Sequence, residues 1–286
     1  MELKEVIGRR RSIRFFLPHR PVEREKIQKM LEGARHASCV GNVMNVRSIV
    51  IWRETASEAL MKALTPPLGY QQMQTAPVFI FWYNERAAYQ IDKWISDLHG
   101  LVRARRLGMD VEGTIEEIEK RLRPTFSASW EMASVSPLAF MDVGQAIAQA
   151  TLVAYDEGLT TCLMSSPRID RIGKLLKLPE TAVPVAIQAV GYPAESWEAG
   201  GQTPKPPLGE ISFENECGNP FVPDPAIDEE LRRARLIQEQ APLPWRDAEI
   251  SYLMNALGLE NKVLATPFEG APAQADAPSG DAGGAR

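Results

Sequence analysis

Four arginines lie close together near the start of the chain. The stretch GRRRSIRFF places Arg9, Arg10, Arg11 and Arg14 around Ser12. Guanidinium groups are planar, bidentate donors, and several together can offset the cost of taking a phosphate or carboxylate out of water. The pattern indicates an anion site, while a solvated turn or pairing with carboxylates inside the fold would also bring arginines together.

The overall charge favours a small anion over a polymer at this cluster. The chain has 286 residues and a formal net charge of −5, so as a whole it would repel nucleic acid and anionic membranes. Neither the GxGxxG nor the GxxxxGK[ST] pattern occurs, so neither a Rossmann nor a P-loop nucleotide site is indicated. A discrete phosphate or carboxylate fits better.

Cysteine and histidine spacing argues against a metal centre or a disulfide framework. The cysteines are odd in number and widely separated, and the histidines lack ligand spacing. These residues are Cys39, Cys162, Cys217, His19, His36 and His99. With no secretory signal pattern at the N-terminus, we expect a cytoplasmic protein with free thiols and no bound metal.

Apolar periodicity predicts interleaved helices and strands without regular βαβ units, and therefore an α+β fold with a central mixed sheet flanked by helices. Helices are predicted at residues 3–10, 22–38, 56–64, 141–158, 168–178, 226–239 and 246–258. Strands are predicted at residues 47–53, 76–84, 159–166 and 183–193, with a loop at 66–75 and a charged helical section at 85–136.

Composition divides the chain into three parts. Residues 1–210 carry the strands and form the predicted main domain, and residues 211–264 form a C-terminal helical arm. Residues 265–286 are mostly Ala, Pro, Gly and Asp, with little to bury, and are predicted to be disordered.

Several segments, in this order, resemble the FMN-dependent nitroreductase family. They are RRRSIR, ARHASCVGN, APVFIFWY, MDVGQAIAQATLVAYDEGLTTCLMSS and LKLPETAVPVAIQAVGYPAE. The resemblance covers roughly residues 3–210, except the middle section. It implies a nitroreductase-like fold, a homodimer with flavin sites at the subunit interface, and an extended C-terminal arm that embraces the partner.

The resemblance also implies which residues hold the FMN phosphate and ribityl chain. Arg10, Arg11, Ser12 and Arg14 match the family's Arg-Arg-Ser-x-Arg segment. Lys205 stands where many relatives have arginine, so it keeps the charge but loses the bidentate geometry.

Three further segments are implied to frame the isoalloxazine ring. Ser38, Cys39 and Asn42 match a Pro-Ser-x-x-Asn loop, and Gln72 matches an amide or lysine that bonds the ring or ribityl chain. Ser165, with Ser166 beside it, matches the loop whose backbone N–H is directed at flavin N5. Free cysteines are usually small buried side chains, so no catalytic thiol is assigned.

Two departures from the family bear on the substrate. Met44-Asn45-Val46 replaces the common Gln-Pro-Trp, and section 85–136 is long for a cover over the flavin. Phe126 and Trp130 could stack on a planar substrate, although core or interface packing is the favoured role of both.

The implied activity is transfer of hydride from NAD(P)H to FMN, and then to a nitroaromatic, quinone-like or other electron-poor aromatic acceptor, by a ping-pong mechanism. No protein side chain is required as a catalytic acid or base. The alternatives are a divergent flavin reaction (reductive dehalogenation, dehydrogenation or flavin cleavage) or a non-enzymatic flavin-sequestering protein.

Overall fold

A four-stranded sheet forms the centre of the computed structural model, which describes residues 2–65, 71–166 and 168–259. The strands are β1 (Val46–Trp52), β2 (Val78–Glu85), β3 (Thr160–Met164) and β4 (Ala182–Gly191). Their order across the sheet is β1, β2, β4, β3, so β1 and β3 are the two edge strands.

The α+β class is confirmed, but the prediction of a mixed sheet is wrong. All three pairings between the four strands are antiparallel. The segment that could add a parallel strand pairs with β3 at one bridge only, between Ser12 and Thr161. Beyond this bridge the N–H groups of Arg14 and Phe15 bond to the side chain of Glu195 instead of to β3.

The predicted helices are present, although the one predicted at 226–239 ends at Arg233. The helices are α1 (Leu3–Arg9), α2 (Arg24–Arg35), α3 (Glu58–Leu64), α4 (Gln71–Thr75), α5 (Ile91–Arg103), α6 (Val111–Glu117), α7 (Arg123–Ala133), α8 (Pro137–Asp156), α9 (Ile169–Leu175), α10 (Leu208–Ile211), α11 (Pro225–Arg233) and α12 (Arg246–Ala256). Of these, α4 and α10 were not predicted. Short 3₁₀ turns occupy Val40–Asn42 and Arg86–Tyr89, and a π-helical turn joins α6 to α7. Across the described ranges, no helix combines the length and apolarity needed to cross a membrane.

One predicted loop contains a helix. The sequence predicted a loop over residues 66–75, but α4 occupies the second half of that stretch. The Thr75 hydroxyl donates to the Gln71 carbonyl at 2.9 Å, and Met73 is buried in the core, so tertiary packing outweighs the loop-like composition. Residues 66–70 and the predicted disordered tail, 265–286, lie outside the described residues.

The central strand β2 is buried on both faces of the sheet. Val78, Ile80 and Trp82 face α2 and α8, while Phe79 and Phe81 face the opposite layer. That layer contains side chains of α3, α4 and α9 together with Ile13 and Phe16 from the segment after α1. The arginine-rich stretch is therefore anchored by the buried side chains of Ile13 and Phe16.

The helical section predicted at residues 85–136 is confirmed and has a core of its own. We call residues 86–133 the cover. Trp94, Ile95 and Leu98 of α5 are buried in this core. The Phe126 ring lies stacked on the Trp94 ring, with centroids 4.2 Å apart and planes 9° apart.

Helix α12 packs on its own chain. Leu253 and Met254 are buried against Phe15, which immediately follows the last arginine of the N-terminal cluster. The C-terminal helix and the N-terminal segment therefore share a small apolar cluster.

We expect Leu253→Ala to lower the free energy of unfolding by about 2–4 kcal/mol, because it removes buried methyl groups and leaves a cavity. Tyr252→Ala is the matched control, since Tyr252 is 70% exposed and its removal should change stability by less than about 0.5 kcal/mol. Urea unfolding monitored by circular dichroism measures both. Equal effects of the two substitutions would show that α12 does not pack on Phe15.

Candidate functional site

The backbone of the segment after α1 is hydrogen-bonded by two distant elements. The Tyr155 hydroxyl, at the end of α8, donates to the Arg11 carbonyl and accepts from the Arg11 N–H at 2.8 Å. Two residues later, the Ile13 N–H donates to the Thr161 carbonyl of β3 at 3.1 Å. The arginine cluster therefore runs along the β3 edge of the sheet.

Arg11 points inward and binds carbonyl groups of its own chain. Its Nη1 donates to the Gly8 carbonyl at 2.6 Å, and its Nη2 donates to Gln238 Oε1 at 2.9 Å. Its Nε lies 3.1 Å from the carbonyl oxygens of both Glu198 and Gly201. Burial lowers the pKa of Arg11. Most of its donors are thus occupied, whereas the side chain of Arg10 is exposed.

A cleft of about 270 Å³ is lined both by the N-terminal arginine cluster and by Lys205. It contains predicted residues from both the N-terminal cluster and the segment after β4, together with two polar residues that sequence reasoning missed. Its lining residues are Ile7, Arg10, Arg11, Ser12, Gln202, Thr203, Lys205 and Leu236. The missed residues, Gln202 and Thr203, stand just before Lys205 in GGQTPK, so their proximity to the predicted lysine was the available signal.

Gln202 is fixed in this cleft by the C-terminal region. Its Nε2 donates to the Leu236 carbonyl at 2.9 Å, and its Oε1 accepts from the Gln238 N–H at 3.0 Å. The position of Gln202 in the cleft thus depends on Leu236 and Gln238, which lie 34 and 36 residues later in the chain.

Arg14 is exposed and lies outside the lining of the cleft. Its Nη1 donates to the Ser12 carbonyl at 3.1 Å. Its side chain is therefore available to a ligand beside the cleft.

Gln72 and the two serines lie near the same edge of the sheet. Gln72 is 4% exposed, and its Nε2 is 4.0 Å from the sulfur of Met164, the residue before Ser165. Within the described residues, Gln72 Oε1 has no hydrogen-bond partner. Ser165 is exposed, and the Ser166 hydroxyl accepts from the Arg168 N–H at 3.1 Å. We call Arg10, Arg11, Ser12, Arg14, Gln72, Ser165, Ser166 and Lys205 the arginine group.

The other three predicted cofactor-binding residues form a separate group before β1. Ser38 is exposed, while Cys39 and Asn42 are partly buried in and beside the 3₁₀ turn. We call these three residues the loop group. Gly41 in this turn has a φ of +52°, and a Cβ there would come within 2.8 Å of Trp94 Nε1, so the turn requires glycine at this position.

The carboxylate of Asp142 supports this turn from α8. Asp142 is fully buried, and the Val40 N–H lies 3.3 Å from each of its oxygens. Burial raises the pKa of Asp142. The turn thus rests on a charged group that the fold removes from water.

The thiols of Cys39 and Cys162 are in environments that favour the protonated form. Burial raises the pKa of Cys39, whose sulfur lies 3.9 Å from the sulfur of Met44. Burial also raises the pKa of Cys162 to about 11. Among the described residues, no group of three or more Cys, His, Asp or Glu side chains could hold a metal ion.

Of the Met44-Asn45-Val46 departure, Asn45 and Val46 take part in packing, whereas Met44 is 43% exposed. Asn45 is buried, and its Nδ2 donates to Asn84 Oδ1 at 2.9 Å and to the Ala139 carbonyl at 3.0 Å. Phe126 and Trp130 both pack against the core of the cover, which is the role that the sequence analysis favoured.

The two groups of predicted residues lie at opposite edges of the sheet. The arginine group lies at the β3 edge, and the loop group lies at the β1 edge. Strands β2 and β4 separate the two edges. Three strand spacings correspond to about 14 Å. In the described part of the chain, no hydrogen bond or ion pair connects the two groups, so one chain does not bring all the predicted residues into one pocket.

Comparison with known proteins identifies a family. The family model named Nitroreductase family matches residues 7–100 and 131–192. The part between the two matched ranges lies within the cover. A comparison with curated protein sequences found no match.

Solved structures share the fold at low sequence identity. A nitroreductase-like protein from Streptococcus mutans has a TM-score of 0.57 and 22% identity over 74% of this chain and 97% of its own. A protein named as a nitroreductase, from Exiguobacterium sibiricum and in complex with FMN, has a TM-score of 0.59 and 22% identity over 75% and 98%. A protein named as an NAD(P)H:FMN oxidoreductase, from Staphylococcus epidermidis, has a TM-score of 0.60 and 16% identity over 74% and 95%.

We expect Asp142→Asn to stabilise the protein more at pH 7 than at pH 4. Because burial raises the pKa of Asp142, the folded state holds this proton more tightly than the unfolded state. The free energy of unfolding therefore falls as pH rises from the unfolded value, about 3.9, through the raised folded value. Asparagine does not ionise, so the variant avoids this loss of stability, and its side-chain oxygen still accepts from the Val40 N–H.

Thermal unfolding of both proteins at the two pH values measures the effect. Glu180→Gln, at an exposed carboxylate, is the control and should show the same difference from wild type at both. An Asp142→Asn effect that is larger at pH 4 would contradict the assigned direction.

Proposed function

Because the chain belongs to the nitroreductase family, we propose that it is an FMN-dependent oxidoreductase reduced by NAD(P)H. The second substrate is a nitroaromatic, quinone-like or other electron-poor aromatic acceptor, and the two half-reactions follow a ping-pong order. Bound FMN would supply a hydride acceptor and donor at its N5 atom.

The cleft shared by Arg10, Ser12 and Lys205 is the observation that carries this proposal. The two cationic side chains of Arg10 and Lys205 and the hydroxyls of Ser12 and Thr203 form a donor set suited to a phosphate dianion. Together with Arg14 at its margin, the cleft fits the terminal phosphate of FMN. The structural neighbour in complex with FMN supports this choice of cofactor.

The buried Gln72 is a second argument for FMN, because its side chain favours a planar heterocycle beside the phosphate. Its Oε1 is an acceptor without a partner in the described residues, and an unpaired buried acceptor costs free energy. The isoalloxazine ring carries an N–H that would satisfy it. Helix α4 is tied to the arginine cluster because Thr75 Oγ1 accepts from the Phe16 N–H at 3.1 Å, so ring and phosphate contacts would be positioned together.

The residues around the proposed site bind and orient rather than transfer protons. Arg10, Arg14 and Lys205 hold the phosphate, and Arg11 shapes the segment that carries them. Ser165 and Ser166 are the candidates for a backbone N–H directed at flavin N5. Cys39 and Cys162 contribute no thiolate.

We further propose that two chains share each flavin site in a homodimer. The loop group and the cover lie across the sheet from the arginine group, so a second copy would have to bring its loop group and cover to the first copy's flavin. Two-fold symmetry would then form two equivalent sites.

The cofactor and the activity are tested together. We expect the purified protein to bind about one FMN per chain, which NADH or NADPH reduces and which an aromatic nitro compound or a quinone reoxidises in anaerobic stopped-flow. A protein that takes up no FMN in equilibrium dialysis would refute the proposal. Bound FMN that neither nicotinamide reduces would favour flavin sequestration instead.

We expect the arginines to separate into two classes on substitution. Arg10→Ala and Arg14→Ala should each weaken FMN binding by about 1.5–3 kcal/mol, roughly ten- to a hundredfold, because each removes a charge-assisted contact. Arg11→Ala should also lower the melting temperature of the cofactor-free protein, because it removes the hydrogen bonds of Arg11 to several carbonyl oxygens.

Isothermal titration with FMN and thermal unfolding of the FMN-free protein measure the two effects. Arg232→Ala, at an exposed position of α11, is the control and should change neither. If Arg11→Ala weakens FMN binding without lowering stability, Arg11 is a ligand and not a structural clamp.

A mixed-dimer experiment tests the shared site. One variant carries Arg10→Ala and Arg14→Ala, and the other carries Ser38→Ala and Asn42→Ala. In random mixed dimers a shared site restores one intact site in each heterodimer, so co-expression should recover about one quarter of the wild-type FMN content. No recovery, with dimers present in sedimentation velocity, would place the whole site within one chain.

A further inference from the structure

Glu195 lies four residues after the end of β4, and its side chain is fully buried. Its Oε1 accepts two backbone hydrogen bonds, from the Arg14 N–H at 2.5 Å and from the Phe15 N–H at 3.0 Å. Neither N–H is therefore left without an acceptor in the protein interior.

This carboxylate replaces strand pairing at the point where pairing stops. On one side the Ile13 N–H bonds to β3, and on the other the Phe15 carbonyl accepts from the Ala194 N–H at 2.8 Å. Between these contacts, and within the described residues, Glu195 alone accepts the N–H groups of Arg14 and Phe15.

Arg246 of α12 compensates the buried charge. Its Nη2 lies 2.7 Å from Glu195 Oε2, an ion-pair distance, although no N–H meets the angle of a hydrogen bond to that oxygen. Its Nη1 donates to Glu249 Oε2 at 2.6 Å, and Glu249 Oε1 accepts from the Ser196 N–H at 2.6 Å. The network thus returns to the residue that follows Glu195.

We propose that Glu195 is a positioning residue for the FMN phosphate contacts, and that Arg246 keeps its carboxylate in place. This inference rests on the proposed FMN site. Through the pair, α12 controls how firmly the Arg14 segment is held, although the helix lines no part of the cleft.

Glu195→Gln in the full-length protein tests the proposal before any cofactor is added. The substitution removes the negative charge that strengthens both hydrogen bonds, so the Arg14 and Phe15 amides should exchange with solvent roughly tenfold faster in the FMN-free protein. Unchanged exchange at both amides would overturn the proposal.

FMN affinity then distinguishes positioning from general stability. Glu195→Gln and Arg246→Met should each weaken FMN binding roughly tenfold at a temperature where every variant is folded. The double variant should be no weaker than the worse single variant, because the two side chains act through one interaction.

Tyr192→Phe is the matched control, since its hydroxyl bonds to Glu23 and Lys26 and does not touch the arginine cluster. It should lower stability and leave FMN affinity unchanged. If Glu195→Gln accelerates exchange but binds FMN like wild type, Glu195 is structural and the proposal fails. If wild type itself binds no FMN, the proposed function fails first and the positioning role with it.

Discussion

The backbone of residues 11–17 needs hydrogen-bond partners from outside its own segment, and much of the proposed site depends on how the fold supplies them. Most of this stretch is buried, but it joins the sheet at only isolated positions. Its polar groups are satisfied by Tyr155 of α8, by β3, by Thr75 of α4 and by Glu195 after β4. Each of these partners comes from a different part of the chain, so the segment is a junction at which four other segments meet.

The same need for hydrogen-bond partners explains why the arginines have different roles. A guanidinium that points into this junction meets several carbonyl oxygens that no strand or helix satisfies, and Arg11 binds them. A guanidinium on the outer side meets solvent, as Arg10 and Arg14 do. One cluster of like residues therefore contains both a structural clamp and the groups proposed to bind phosphate.

The sheet order determines how the proposed site can be completed. With β1 and β3 at opposite edges, the turn before β1 and the cover beside it lie away from the arginine group. The cover has its own aromatic core, including the stacked Trp94 and Phe126 rings, and packs against the turn at Gly41. Its position is thus coupled to the loop group of its own chain, which is why a shared site is the arrangement that we propose.

Local sequence features were sufficient to predict most elements and the family. Apolar periodicity located the long helices α2 and α8, and Gly158 after α8 has the positive φ expected of a C-terminal stop, at +75°. The motif order identified Arg10, Ser12 and Lys205 as candidates, and the structure places all three at one cleft. What the sequence did not reveal were the antiparallel sheet, the α4 helix, Gln202 and the Glu195–Arg246 pair.

Those features depend on contacts between residues that are distant in the sequence. Residue type and spacing determine which side chains can donate, accept or pack, because these properties belong to the residue and its helix or strand. Whether a given arginine binds a carbonyl or faces solvent depends on which acceptors the fold leaves unpaired nearby. For Arg11 one of those acceptors is 227 positions away, at Gln238. The sequence by itself therefore determined the chemistry available to this protein, and only the tertiary structure decided which of its groups the fold uses and which remain free for a ligand.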